Sequence, residues 1–218
     1  MKKVLVDLSD LSPRKRELFT RALEAGKAKG LRSDTILRRT GSGPFPLSFA
    51  QERMWFLNQL EPGSAAYNIP GVLRVEGELD LGILERTLSE IVRRHEVLRT
   101  TFEVEAGRPV QVIHEAAGVK VGQEDLRGQG LEEQERRWRE VARAEAGEVF
   151  DLKAGPLFRV KVLCLGERSH ILLYTMHHIV SDGWSVGVLV REFGKGYEAM
   201  RRGERSGGRI YSTWLILR

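Results

Sequence analysis

Ten consecutive residues, Met176-His177-His178-Ile179-Val180-Ser181-Asp182-Gly183-Trp184-Ser185, hold most of the chemistry this sequence offers. Two of the chain's five histidines stand there beside an aspartate and a glycine. A neutral imidazole in a dry cleft can accept or position a proton. Gly183 allows close approach of backbone to a ligand. The first N–H groups of a helix after the stretch could stabilise a developing oxyanion. The apolar run before it reads as a strand, and the crevice beyond strand ends commonly holds ligand sites. Successive strand side chains point to opposite faces, so one histidine should meet the core and the other a cleft. Such a pair cannot share one metal ion, and no His-x-x-x-His spacing completes a ligand set, so no metal is expected. The plainer reading, two hydrogen-bonded structural histidines, stays open at this point. Neither Ser nor Cys sits in a recognisable nucleophile elbow. Cys164 falls on the inward face of a strand and reads as inert core. The expected chemistry is direct acyl transfer between two bound substrates, with no covalent enzyme intermediate.

A second segment, Arg93-Arg94-His95-Glu96-Val97-Leu98-Arg99-Thr100-Thr101-Phe102, ends a helix and enters a strand. Cations there are favourable at a helix C-terminus. Arg99, however, falls in an apolar strand entry, and a buried arginine needs a carboxylate. Asp182 is the expected partner, with Arg94 as the next candidate for that aspartate. Losing one half of a buried pair costs about 3–5 kcal/mol.

The elements that must position these residues follow from capping and periodicity. Ser12 and Pro13 open a helix with Leu18, Phe19 and Leu23, which fades through Gly26 to Gly30. Thr40 to Pro46 reads as a linker. Ser48 caps a helix carrying Phe49, Trp55, Phe56 and Leu60, ended by Glu61-Pro62-Gly63-Ser64. A strand is expected at Val72 to Val75. Asp80 opens a helix whose Leu81, Leu84, Leu88, Ile91 and Val92 repeat at 3.6 residues. Strands are expected at Leu98 to Val104 and Val110 to His114, and a polar helix from about Leu131 to Val149. Leu157 to Leu165 and His170 to Met176 form a strand pair joined by Gly166-Glu167-Arg168-Ser169. A last helix begins near Trp184, with Val186, Leu189, Val190, Phe193 and Tyr197 inward. This order implies an α/β (α+β) sandwich with a mixed sheet.

The 218 residues, 41% of them hydrophobic, suffice for a packed core, and one cysteine excludes an internal disulfide framework. The net charge of +5 lies at the two ends: residues 1–39 hold 11 Lys/Arg against 5 Asp/Glu, and 201–218 hold 5 against 1. The body is mildly acidic, so no nucleic-acid partner is expected. No apolar run reaches membrane-spanning length and the N-terminus is not a secretory signal, so a cytoplasmic location without membrane contact is expected.

Three segments together resemble condensation domains of nonribosomal peptide synthetases. Pro46-Leu47-Ser48-Phe49-Ala50-Gln51-Glu52-Arg53-Met54-Trp55-Phe56-Leu57 looks like the family's first signature. Arg94 to Phe102 matches the second, and Met176 to Ser185 the third, the His-His-x-x-x-Asp-Gly motif. The resemblance implies a chloramphenicol acetyltransferase-like lobe, one of two that form a V with the active site between them. It implies amide formation between an acyl or peptidyl thioester and the amine of an aminoacyl thioester, both on phosphopantetheine arms of carrier domains. No cofactor is then bound directly; the partners are donor and acceptor carrier domains and neighbouring synthetase domains. By motif position, His178 is catalytic, Gly183 lines the reaction centre, and His177 and Asp182 are structural. The first signature, with Glu61 to Pro70, looks most like the subtype joining two L-residues.

The domains expected are a basic helix and linker at 1–43, the N-terminal lobe at 44–200 and a divergent basic tail at 201–218. There is room for one lobe, so the C-terminal lobe is expected to be missing. The tail lacks the family's Tyr-x-Asp-Phe and suggests an interrupted reading frame or an artificial end, with little activity for the chain alone. Two other readings are a stand-alone acyltransferase of the same superfamily and a non-catalytic carrier-docking module.

Overall fold

The computed structural model describes residue 41, residues 43–202 and residues 209–211. The helix expected at Ser12 to Gly30 and most of the basic tail lie outside the described residues. In chain order the elements are β1 (Phe45–Pro46), α1 (Phe49–Leu60), β2 (Asn68–Glu76), α2 (Leu81–Arg94), a 3₁₀ turn (Glu96–Arg99), β3 (Thr100–Glu105), β4 (Arg108–Ile113), β5 (Gly122–Asp125), α3 (Leu131–Gly147), β6 (Phe158–Gly166), β7 (Ser169–His177), α4 (Gly183–Arg201) and β8 (Arg209–Tyr211).

The main sheet has the order β5-β6-β7-β2-β8. Among the described residues only the β5–β6 pair of this sheet is parallel, so the sheet is mixed, as expected. A second, small sheet runs β1-β4-β3. Its β3–β4 turn places Ala106 and Gly107 at φ 49° and 77°, the left-handed pair that suits a tight hairpin.

Strand β7 lies in the middle of the main sheet because its Ile-Leu-Leu-Tyr-Thr-Met run can be buried on both faces, and Ile171 to His177 are all buried. Beside it, β6 alternates: Phe158, Val160 and Val162 are buried while Arg159 and Lys161 reach outward. The C-terminal end of α3 receives those cations. Arg159 donates to the Glu148 carbonyl (2.6 Å) and lies 3.8 Å over the Phe150 ring, and Lys161 meets Glu145 at 2.5 Å. Opposite in the sheet, Gly71 faces Tyr174. A Cβ at Gly71 would lie 2.0 Å from Tyr174 Cζ, so only glycine lets that buried ring lie flat across the ladder.

Helices cover both faces. Asp80 caps α2 by accepting from the Ile83 N–H (2.8 Å), and Asp182 caps α4 in the same way. Leu84, Leu88, Ile91 and Val92 of α2 pack with Val186, Leu189, Phe193 and Tyr197 of α4 on one face. On the other face α3 sets Trp138, Val141 and Ala142 against Val72, Leu163, Ile171 and Leu173. These layers make the sandwich that the alternation of elements predicts.

Several elements differ from the sequence reading. Strand β2 starts at Asn68, four residues before the expected Val72. Leu98 and Arg99 belong to the 3₁₀ turn, so β3 starts at Thr100. Helix α3 stops at Gly147, leaving Val149 39% exposed. Strand β5, Gly122-Gln123-Glu124-Asp125, carries no apolar alternation and pairs by backbone alone with β6. Among the described residues, no helix is long and apolar enough to cross a membrane.

Candidate active site

Strand β7 ends at His177, and the chain then turns through His178, Ile179 and Val180 to Asp182, which opens α4. Four backbone and ring bonds hold this turn. The His177 N–H donates to the Leu157 carbonyl (3.1 Å), the His178 N–H to the Tyr67 carbonyl (2.8 Å) and the Val180 N–H to the His177 carbonyl (3.1 Å). The Ile179 N–H donates to His177 Nδ1 (3.1 Å), which puts the proton of the neutral ring on Nε2. Leu47, Phe102, Phe150, Leu152 and Leu157 form a small apolar cluster under Ile179 and Val180.

The two histidines meet different surroundings. His177 is 1% exposed, with the Phe150 ring edge-on at 6.1 Å. Burial, with the charge of neighbouring His178 adding to it, pushes the His177 imidazole down to about 4. Its Nε2 is buried and finds no partner among the described residues. His178 is exposed and lines a cavity of about 500 Å³. The pair is separated as the sequence reading expects, but by the end of the strand and not by alternation along it: His177 is the last residue of the buried β7, and His178 opens the turn.

Asp182 is exposed and serves as a cap. Its Oδ1 accepts from the Ser185 N–H (2.8 Å) and the Ser185 hydroxyl (2.6 Å), and these bonds hold its carboxyl below the usual carboxylate range. The expected Arg99–Asp182 ion pair does not form. The 3₁₀ turn at Glu96–Arg99 carries the Arg99 guanidinium to the His114 carbonyl, with Glu96 at 3.7 Å. Arg94, the next candidate, pairs with Glu192 at 3.2 Å. The oxyanion expectation also needs correction: the N–H groups of Trp184 and Ser185 face the Asp182 carboxylate, so the cap uses donors that an oxyanion would need. Gly183 is exposed, and a Cβ there would meet nothing within 4 Å. Cys164 is half-buried, and burial pushes its thiol up, away from the nucleophilic form.

The opposite wall of the cavity comes from the first turns of α1. Ser48, Gln51, Arg53 and Met54 line it, and Ser48 and Gln51 form a capping box, each side chain bonded to the other's backbone N–H. The sequence shows these residues only as a cap and a signature. Ala50, Val97, Ile179, Val180, Ser181, Asp182 and Ser185 complete the lining; all lie in the three signature segments, but the sequence reading does not single out Ala50, Val97, Ser181 and Ser185 as site residues. Among the described residues, no group of three or more His, Cys, Asp or Glu could hold a metal ion.

The sequence profile of the condensation domain matches residues 42–213. The chain belongs to the condensation domain family. This condensation-domain lobe is 48% identical over 162 residues to a linear gramicidin synthase of Brevibacillus parabrevis, covering 74% of the chain and 2% of that relative. It is 40% identical over 195 residues to the phosphinothricin tripeptide synthetase PhsB of Streptomyces viridochromogenes, covering 84% of the chain and 16% of that relative. Among solved structures, the first condensation domain of the calcium-dependent antibiotic synthetase superposes with a TM-score of 0.68 at 26% identity, over 76% of this chain and 41% of that one. The starter condensation domain of the rhizomide synthetase RzmA shares the fold, with a TM-score of 0.68 at 24% identity, over 75% and 39% of the two chains. The chain therefore spans a small part of the curated relatives' length and about two fifths of the solved domains.

Proposed function

We propose that this lobe supplies the histidine side of an amide-forming site that joins a donor acyl or peptidyl thioester to the amine of an aminoacyl acceptor. The observation that carries the reading is the exposed His178, held at the end of the central strand and lining the cavity. The acceptor nitrogen attacks the thioester carbonyl carbon, the C–N bond forms, the C–S bond breaks, and the thiol leaves. His178 accepts a hydrogen bond from the attacking amine, and the amine's proton departs finally with the leaving sulfur. A thioester is already activated, so alignment supplies much of the rate. His177 anchors the turn, Asp182 fixes the start of α4, and Arg99 ties the entry of β3 to the end of β4. Gly183 offers bare backbone where the donor passes.

The same reading includes the substrates' phosphopantetheine arms, their donor and acceptor carrier domains, neighbouring synthetase domains and a cytoplasmic setting. A second lobe facing residues 44–200 closes the cleft. The first signature and the Glu61 to Pro70 segment support the subtype that joins two L-residues.

The test is product formation from loaded carriers in the synthetase bearing this lobe, with melting temperatures measured in parallel. His178→Ala should be folded and inactive, His177→Ala unstable, and Gly183→Val folded but blocked. A folded, inactive His177→Ala beside an unstable His178→Ala would overturn the assignment. A fully active His178→Ala would point to a docking module instead.

A further inference from the structure

A second cavity, of about 270 Å³, opens beside the first. The two share Val97, Val180 and Ser185 in their linings, so the second continues the space around His178. Its buried wall is carbon: Ile91 of α2, Leu98, Met176 of β7 and Leu189 of α4. Trp184 stands at the rim, 83% exposed, next to the half-buried Val188. His95 is the one ionisable group in that lining, and its Nε2 is already engaged by Glu192 at 2.9 Å. The pocket therefore offers a ligand apolar surface, not charge. An indole exposed to water beside an apolar hollow loses little and gains contact when a carbon skeleton enters.

We infer that this hollow is the side-chain pocket of the lobe: it takes the aliphatic side chain of the amino acid whose thioester or amine lies at His178, and Trp184 and Val188 set how large that side chain can be. The inference rests on the reading of His178 as the reacting histidine. A polar or charged side chain would be stripped of water there without a partner and is disfavoured. A glycine substrate would leave the pocket empty. Each methylene buried in such a pocket is worth roughly a fourfold gain in binding. The half-open mouth reduces the total, so the preference expected for leucine over glycine is about tenfold.

The test uses the full 218-residue chain and two probes, the N-acetylcysteamine thioesters of leucine and glycine. Binding is followed by NMR titration, together with the fluorescence of Trp184 identified by loss in Trp184→Phe. The leucyl probe should bind about tenfold more tightly and shift the Trp184 emission to the blue. In Val188→Phe the added ring fills the hollow, and the leucine-to-glycine ratio should fall to about one. Trp184→Ala, at an exposed position, should lower the same ratio even if Val188→Phe fails to fold. Equal binding of the two probes, or a leucine preference that survives both substitutions, would overturn the pocket. The imidazole signals of His178 report separately on the reaction site: movement with both probes keeps that reading whatever the Val188 comparison shows. N-acetyl-leucyl thioester, which has no free amine, assigns the source. If it keeps the preference, the pocket serves the donor; if only the free amine does, it serves the acceptor.

Discussion

On one side of the cavity the segment from His177 to Ser185 hangs from β7, with His177 buried, Ile179 and Val180 sunk in an apolar cluster and Asp182 capping α4. On the other side the first turns of α1 present Ser48, Gln51, Arg53 and Met54, and no residue of that helix is buried. Both walls begin a helix with a side-chain cap, and both carry apolar residues. In the first, those residues belong to the core, so the wall's geometry is part of the fold. In the second, Phe49, Phe56 and Leu60 are 92%, 56% and 61% exposed, so the helix is held by its cap and by Met54 and Trp55. Substitutions on the first wall should therefore register in stability, except where the side chain has left the core.

His178→Ala is that exception and the largest effect. Amide formation should fall by about 10²–10⁴-fold, the range for loss of a positioned proton acceptor, with the melting temperature unchanged. Stopped product assays beside thermal melts check this, and a parallel loss of stability would erase the contrast between the neighbours. His177→Ala should destabilise the lobe by about 3 kcal/mol, because it leaves a cavity and strips the Ile179 N–H of its acceptor. Denaturant titration at pH 7 measures it.

The same residue sets a pH window. The folded imidazole titrates near 4, below the ordinary histidine value of 6.5. Between these values the unfolded chain binds a proton that the folded one refuses, so stability falls as pH drops from 6.5 to 4 and levels below that. At 1.36 kcal/mol per pH unit the loss from His177 is at most about 3.4 kcal/mol. His170, also buried and also lowered, contributes in the same direction. Unfolding midpoints measured across that range should decline, and His177→Gln should flatten the decline.

Asp182→Ala removes an exposed cap and should cost about 1 kcal/mol, far less than a broken buried ion pair. A loss of 3 kcal/mol or more would mean that the carboxylate has a second partner. Phe49→Ser on α1 should change stability by no more than about 0.5 kcal/mol. A larger loss in thermal melts would show that the two walls are anchored alike.

Local rules made much of this legible in the sequence. Asp80 and Ser48 cap the helices they should cap, the uninterrupted apolar run of β7 marks a central strand, and the expected split of a buried His177 from an exposed His178 holds, set by the strand's end at His177. What stayed hidden is long-range or backbone-made. The partner of Arg99 depends on one turn of 3₁₀ helix that swings the guanidinium toward the end of β4, a geometry no spacing announces. Strand β5 is recruited by hydrogen bonds from β6 and leaves no trace in its Gly-Gln-Glu-Asp side chains. The α1 wall was visible as a signature, yet only the tertiary fold sets Arg53 and Met54 across from His178.

The amides of His177 and His178 are bonded to Leu157 and Tyr67, on the segments that flank β7 from either side. Ligand-contacting segments usually sit in the least stable parts of a protein and open by local fluctuation. Here His177 ends the most enclosed strand and His178 follows it directly, so the amide protons of this pair should exchange with solvent only when the whole lobe unfolds. Local opening of the lobe should then be confined to the α1 wall, where no helix residue is buried.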